Sequence, residues 1–238
     1  MEKRSLLFDG NEKKVFATDD PSLVIFHFKD VLTAYTGVKR AVLRHKGIVN
    51  NAISAYLFSF LEKNGVKTHF VERISDREQI CRKIDPIPLE MIVCNYVNGP
   101  LTERLGMEEG TKPSDTIIDL RYNREELGEP LINDSEAIAL GIVSKEELSG
   151  LYATAGKVLS LMDGLFTGAG LKLIDVKLEF GRDASGNIIL CDEISPDTCR
   201  IWDASNDERL DKDRFRLDFG DIVASYTVIG QKLGALTE

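Results

Sequence analysis

Asp175, Lys177 and Glu179 stand at alternate positions in the run Leu171–Gly181, which reads LKLIDVKLEFG. Side chains alternate across a strand, so these three ionisable groups share one face, and Ile174, Val176, Leu178 and Phe180 share the other. The apolar row belongs in a core. The charged row has the chemistry of a cation and phosphate site. Carboxylates offer hard oxygen ligands to Mg2+, and a lysine among them keeps its charge for a phosphate or a substrate carboxylate. A second strand, expected from Asn187 to Ile194, carries Asp192 and Glu193 and runs into Ser195-Pro196-Asp197-Thr198-Cys199-Arg200. Ser185-Gly186 in the short connection predicts a hairpin, which brings these acids beside the first row. Spacing alone leaves a solvated sheet face with cross-strand ion pairs equally open. Near the N-terminus, Phe8–Phe16 (FDGNEKKVF) has the shape of a small phosphate-covering hairpin, with Gly10 for the turn and Lys13 three positions later. It is neither a P-loop nor a dinucleotide fingerprint, and an ordinary hairpin turn fits it too.

The elements that must position these residues are legible in outline. Short apolar runs at Ser5–Phe8, Lys14–Ala17 and Leu23–Phe28, punctuated by Asp9-Gly10-Asn11 and Asp19-Asp20-Pro21, read as strands. A helix follows from about Gly47 to Lys63. Its stripe runs through Ile48, Ala52, Ala55, Tyr56 and Ser59, widened by Ile53, Leu57, Phe60 and Leu61. His69–Val71 and Leu89–Val97 read as further strands. Between them, Asp85-Pro86-Ile87-Pro88 fixes an extended path and marks the domain division. Ser144 and Glu147 form a capping-box pattern opening a helix that Gly168-Ala169-Gly170 ends, and Phe219–Leu233 is a last helical pattern. Strands come first and helices dominate the second half, an α+β arrangement rather than a regular βαβ alternation. The expected division is a β-rich domain over 1–86 and an α+β domain over 87–238.

The chain has 238 residues, 43% of them hydrophobic, enough for a sizeable core. Its formal charge of −9 argues against nucleic acid as a partner, while a local basic cleft inside an acidic shell still admits a small anion. Cys81, Cys94, Cys191 and Cys199 form no C-x-x-C pair and read as buried thiols. No apolar run approaches the length of a membrane span, and the expectation is a reduced, cytoplasmic protein.

Leu173–Gly181 resembles one signature of the SAICAR synthetases, and Asp192–Asp203 (DEISPDTCRIWD) resembles the block that follows it. Asp211–Arg216, Lys46–Asn51, Arg104–Gly106 and Pro130–Asn133 also resemble family blocks, in the right order and over nearly the whole chain. The resemblance implies two domains with an ATP cleft between them. It implies an amide-forming ligase of purine synthesis that joins the ribonucleotide carboxylate of CAIR to L-aspartate, giving SAICAR, ADP and phosphate through an acyl phosphate. Carried over by position, Glu179 and Asp192 would hold Mg2+ and, with Gly10 and Lys13, the ATP. Lys177 and Asp175 would stand at the reacting groups. Asp197 and Arg200 would face the substrate, with the guanidinium suited to a ribose 5′-phosphate. The resemblance also implies self-association.

Four positions depart from the family pattern. The hairpin that usually reads Gly-Lys-Ala-Lys is Gly10-Asn11-Glu12-Lys13. Cys94 stands in place of an arginine and Pro100 in place of a serine, both at substrate-binding positions, and Asn123 stands where a lysine often reaches the nucleotide. Charge-assisted hydrogen bonds contribute roughly 1.5–3 kcal/mol each, so losing two weakens binding of a nucleotide monophosphate by roughly two to four orders of magnitude unless other groups compensate. Lys39, Arg40 and Arg44 are the candidates for that. Three readings follow: the ligase acting on CAIR, a related ATP-dependent amide ligase acting on another acid, including one without phosphate, and a nucleotide-binding protein without catalysis.

Overall fold

The computed structural model describes residues 1–35 and 37–236. Strands β1 (Lys3–Asp9), β2 (Lys13–Thr18) and β3 (Leu23–Phe28) form an antiparallel meander. A short hairpin, β4 (Val31–Ala34) and β5 (Lys39–Val42), follows apart from it. Helix α1 (Lys46–Lys63) then leads to β6 (Phe70–Arg73) and β7 (Glu78–Arg82), which complete a five-stranded sheet in the order β1-β2-β3-β7-β6.

The second sheet starts at β8 (Asp85–Cys94) and continues, after α2 (Pro100–Leu105), with β9 (Ile117–Tyr122) and β10 (Leu131–Ile132). Two helices, α3 (Asp134–Ala139) and α4 (Lys145–Gly168), precede β11 (Leu171–Arg182), β12 (Ile188–Cys191) and β13 (Cys199–Asp203). The order is β10-β9-β8-β11-β12, and β13 pairs with the first half of β11. The chain closes with α5 (Asp213–Arg216) and α6 (Ile222–Leu233). Strands and helices are both well represented, and the fold is α+β as the sequence predicts.

The Pro86-Ile87-Pro88 segment is not an irregular linker. It forms the first half of β8, with Pro86 opposite Gly181 near the strand's start, where a missing N–H is tolerated. Ile87 and Leu89 are both buried in the main core. The strand stops at Cys94, and Asn95–Val97 leave the ladder.

Two helices show how the core is built. In α4 the Ser144 side chain accepts from the Glu147 N–H at 3.1 Å, and the Glu147 carboxylate accepts from the Ser144 N–H at 2.7 Å. Leu151, Ala155, Val158, Leu159 and Met162 of the expected stripe are buried and the helix packs on β8 and β11, but the stripe closes on Phe166 rather than on Leu165, which is half-buried. The stripe expected on α1 is not what the structure shows. That helix runs between α6 and the first sheet and is buried on most sides, with Asn50, Asn51 and Ser54 as inaccessible as Ile53 and Leu57. The side of α1 near Lys46 faces a polar interior.

Candidate active site

Register places the charged row. On β11, Asp175, Lys177 and Glu179 lie opposite Cys94, Ile92 and Glu90 of β8. Those three lie opposite Ile117, Asp119 and Arg121 of β9. On the other side, Arg200 of β13 lies opposite Asp175. Directly paired residues share a face, so four strands form one charged floor. It opens into a cleft of about 590 Å³ whose lining includes Glu12, Glu90, Arg121, Lys177, Asp197 and Arg200. The face is therefore not an open solvated one at Asp175, which is only 4% exposed, although the cross-strand ion pairs of that reading are present.

Most of these charges are paired. Lys177 donates to Glu90 at 2.8 Å and to Glu179 at 2.7 Å. The Asn123 side chain donates to the second oxygen of Glu179 at 3.4 Å. Arg200 donates through Nη1 to Asp175 at 2.6 Å and through Nε to Asp213 at 2.9 Å. Asp175 also accepts from the Asn98 side chain at 3.1 Å and the Arg200 N–H at 3.2 Å. Asp213 in turn holds Arg216, and its own N–H is received by buried Asp211 at 2.7 Å.

The β1–β2 hairpin supplies one wall. Gly10 donates its N–H to the Lys13 carbonyl at 2.9 Å, and a side chain on Gly10 would meet the Phe8 ring at 2.7 Å. Lys13 reaches across to Asp192 at 2.6 Å and stands 3.7 Å from Glu193. Asp192 has φ of 65°, a left-handed conformation that acidic residues tolerate better than most. The bend ends β12 and aims Asp192 at the hairpin, while Glu193 is buried. Asn11, the departure in this hairpin, lines the cleft, and Glu12 pairs with Lys212 at 2.7 Å.

Asp197 sits deeper. One oxygen accepts from Lys46 and, at 2.6 Å, from Asn50, and the other accepts from the Tyr226 hydroxyl at 2.7 Å. Its own N–H is fixed by the Ser195 hydroxyl at 3.1 Å. The oxygens of Glu12, Glu193 and Asp197 lie within 4.8 Å of one another, a grouping able to hold a cation.

The electrostatics follow from burial working against these partners. Burial disfavours the Lys13 ammonium, but Asp192 and Glu193 outweigh it and raise its pKa. Burial likewise opposes the Asp192 carboxylate, yet Lys13 and Lys177 bring it down to about 2. Glu179 goes the other way: burial, with repulsion from Asp192 and Glu90, raises it despite Lys177. Glu193 is pushed up to about 7, chiefly by burial. Two mutually repelling carboxylates, Glu179 on β11 and Asp192 just past the end of β12, each neutralised by a lysine, have the oxygen donors that suit a hard divalent cation.

The remaining departures sit at the other end of the floor. Cys94 is buried in a small apolar cluster with Val97 and Leu101, and burial pushes its thiol pKa up, so it carries no charge. Pro100 opens α2. Of the cations considered as compensation, Lys39 is spent on the Phe215 carbonyl and Asp218, both at 2.6 Å, and Arg40 and Arg44 are exposed. The cations that do line the cleft are Arg121, Lys177, Arg200, Lys212 and Arg216. Sequence reasoning missed Glu90, Lys46, Asn98, Arg121, Lys212 and Asp213 as members of this site. For Glu90 and Arg121 the signal was alternation along β8 and β9 once their pairing with β11 is known. The others come from turns and helix ends, and local pattern does not place those.

The description of the family model that matches residues 6–233 is SAICAR synthetase. A phosphoribosylaminoimidazole-succinocarboxamide synthase from Clostridium beijerinckii is 48% identical over 233 residues, covering 98% of this chain and 99% of the relative. The crystal structure of the enzyme of that name from Ehrlichia chaffeensis superposes with a TM-score of 0.96 at 38% identity, covering 98% of this chain and all of the other. A SAICAR synthetase in complex with ADP superposes with a TM-score of 0.95 at 39% identity, covering 98% and 99% of the two chains.

Proposed function

Because the chain belongs to the SAICAR synthetase family, we propose that it is the ATP-dependent ligase that condenses the carboxylate of CAIR with L-aspartate in purine synthesis. The observation that carries the assignment of roles is the four-strand floor, on which Asp175, Lys177, Glu90 and Arg200 line one cleft and Glu179, bonded to Lys177, lies on the same face beside it. A carboxylate is a poor acyl donor until one oxygen becomes a good leaving group. Its oxygen attacks the γ-phosphorus of ATP, the bond to the β-phosphate oxygen breaks, and ADP departs. The aspartate nitrogen, as the free amine, then attacks the acyl carbon, phosphate leaves with the activated oxygen, and the nitrogen loses one proton and keeps one as the amide N–H.

Residues 1–86 supply the nucleotide-covering wall, through Gly10 and Lys13, and residues 87–238 supply the floor. Glu179 and Asp192 are the residues that would hold Mg2+, which neutralises nucleotide phosphates and polarises the transferring group. Lys177, between two carboxylates, stays protonated and orients the attacking carboxylate and the transferring phosphate. Asp175 holds Arg200, whose guanidinium faces the acid substrate, and Cys94 and Pro100 flank the same end. Asp197 supports that end from behind. Four free, buried cysteines fit a reducing compartment, the cytoplasm. Among the described residues no helix is long and apolar enough to cross a membrane.

A second reading keeps the chemistry and changes the acid. The uncharged Cys94 cluster favours it, since that end offers less to a phosphate than a guanidinium would. The experiment is ADP release with CAIR, aspartate and Mg·ATP, each omitted in turn, run beside an unphosphorylated imidazole acid. Release that requires all three components supports the first reading. Release with the unphosphorylated acid alone supports the second, and ATP binding without release under either acid overturns both.

A further inference from the structure

Five cations line the cleft, and four are committed to carboxylates: Lys177 to Glu90 and Glu179, Arg200 to Asp175 and Asp213, Lys212 to Glu12, and Arg216 to Asp213. Arg121 is the exception. Among the described residues it makes no ion pair, and its only side-chain hydrogen bond runs from Nη1 to the Glu129 carbonyl at 3.3 Å. Its place is fixed by register. Arg121 lies opposite Glu90, and Glu90 lies opposite Glu179, so the three form one row across β9, β8 and β11. Arg200 and Cys94 belong to the Asp175 row, four residues further along β11 from Glu179. Asn123 follows Arg121 two positions on, also lines the cleft, and reaches Glu179.

A guanidinium in a cleft with no carboxylate of its own is a docking point for an anion brought by a ligand. Its planar fork matches phosphate oxygens, and such charge-assisted bonds are among the stronger ones available. The Glu90 carboxylate beside it is already held by Lys177, and the Glu129 carboxylate acts on Arg121 through space without an ion pair to it. The row decides which anion. Arg121 stands at the Glu179 end, where the nucleotide is placed, rather than at the Arg200 end.

We propose that Arg121 is a binding residue for the terminal phosphate of the nucleotide triphosphate. The assignment rests on the nucleotide reading of the Glu179 end and adds a residue to it. In a chain where Asn123 carries no charge, Arg121 provides a cation two positions away at the same strand end.

The test is calorimetric binding of a non-hydrolysable ATP analogue and of ADP, each with Mg2+, to the wild-type chain and to Arg121→Ala and Arg121→Lys. Arg121→Ala is expected to weaken the analogue roughly 10- to 100-fold, the range for a charge-assisted hydrogen bond, and to leave ADP within about threefold. Arg121→Lys should recover part of the loss, since it restores charge without the fork. The proposal is overturned if both ligands weaken equally, if neither changes, or if the variant instead raises only the Kd of CAIR. A wild-type chain that binds neither nucleotide overturns the nucleotide reading itself, a result distinct from any change seen in the variants.

Discussion

Replacing Asp197 by asparagine removes one negative charge from a place closed to water. The Asp197 and Lys46 side chains are 0% and 1% exposed, and Lys46 has no other ion pair among the described residues. Asparagine keeps the shape and an oxygen for the Tyr226 hydroxyl, so no cavity opens; its NH2 then faces the Lys46 and Asn50 donors, and the perturbation is the lost charge together with the two hydrogen bonds that oxygen accepted. Breaking a buried pair from one side costs about 3–5 kcal/mol, because the surviving charge stays desolvated. Glu12 and Glu193 also act on the Lys46 charge, which places the expectation at the lower end. At this chain length 1 kcal/mol moves Tm by roughly 2–4 °C, so Asp197→Asn should lower it by roughly 6–12 °C. The assay is urea unfolding at pH 7 of wild type, Asp197→Asn, Lys46→Met and the double variant. The double variant should cost less than the sum of the singles, by roughly 0.5–3 kcal/mol of coupling. A side chain whose only task was to touch substrate would behave differently, leaving stability near wild type and raising a KM. An Asp197→Asn chain within about 1 kcal/mol of wild type would refute the argument from burial.

Two further outcomes are expected. His69 is fully buried, edge-on to Phe26 and Phe58 at 5.2 and 5.1 Å, and burial depresses its pKa from 6.5 to about 3. Between those values the unfolded chain binds a proton that the native chain does not, so this contribution is full above pH 6.5 and is lost as pH falls, at about 1.4 kcal/mol per unit. Denaturant unfolding at pH 7 and pH 5 should show about 2 kcal/mol more loss for wild type than for His69→Phe, and parallel losses would refute it. Glu179→Ala should fold normally and abolish Mg-dependent ADP release; a folded variant with full activity would remove Glu179 from the metal assignment.

The parts of this molecule that were legible in the sequence share a physical cause. Strand β3, the α4 capping box and the β11–β12 hairpin are set by local periodicity and turn chemistry, and each lies close to where the residues place it. The charged face of β11 was equally legible, because alternation fixes it whatever surrounds it. What surrounds it was not. Whether Asp175, Lys177 and Glu179 meet water or a cleft depends on β8 and β9 pairing alongside, a contact between segments some 80 residues apart along the chain. The same limit hid Lys46, whose neighbourhood on α1 gives no pattern because the helix is buried nearly all round. It also hid the role of Asp213, set where α5 meets β13. For Arg200 the residue type pointed to an anion, but not to which one: in this structure two carboxylates of the chain itself hold it.

That self-pairing bears on how such a site discriminates. Buried or half-buried charges as dense as these are stable without ligand because most of the cations have a carboxylate within reach. A ligand that enters the cleft therefore exchanges partners rather than filling vacant ones. On the proposed function, phosphate oxygens that draw Lys13 from Asp192 would leave a carboxylate uncovered, and a divalent cation arriving with the nucleotide would re-cover it. The same holds at the other end, where an acid that engages Arg200 must compensate Asp175 or Asp213. A ligand of the right shape but lacking charge parts those pairs and returns nothing, and the penalty is that of unpaired buried ions rather than of one missing hydrogen bond. Selectivity for anionic ligands would thus follow from the charge balance of the cleft itself. Arg121, which makes no ion pair among the described residues, is where the proposed anion would gain attraction without first breaking a pair.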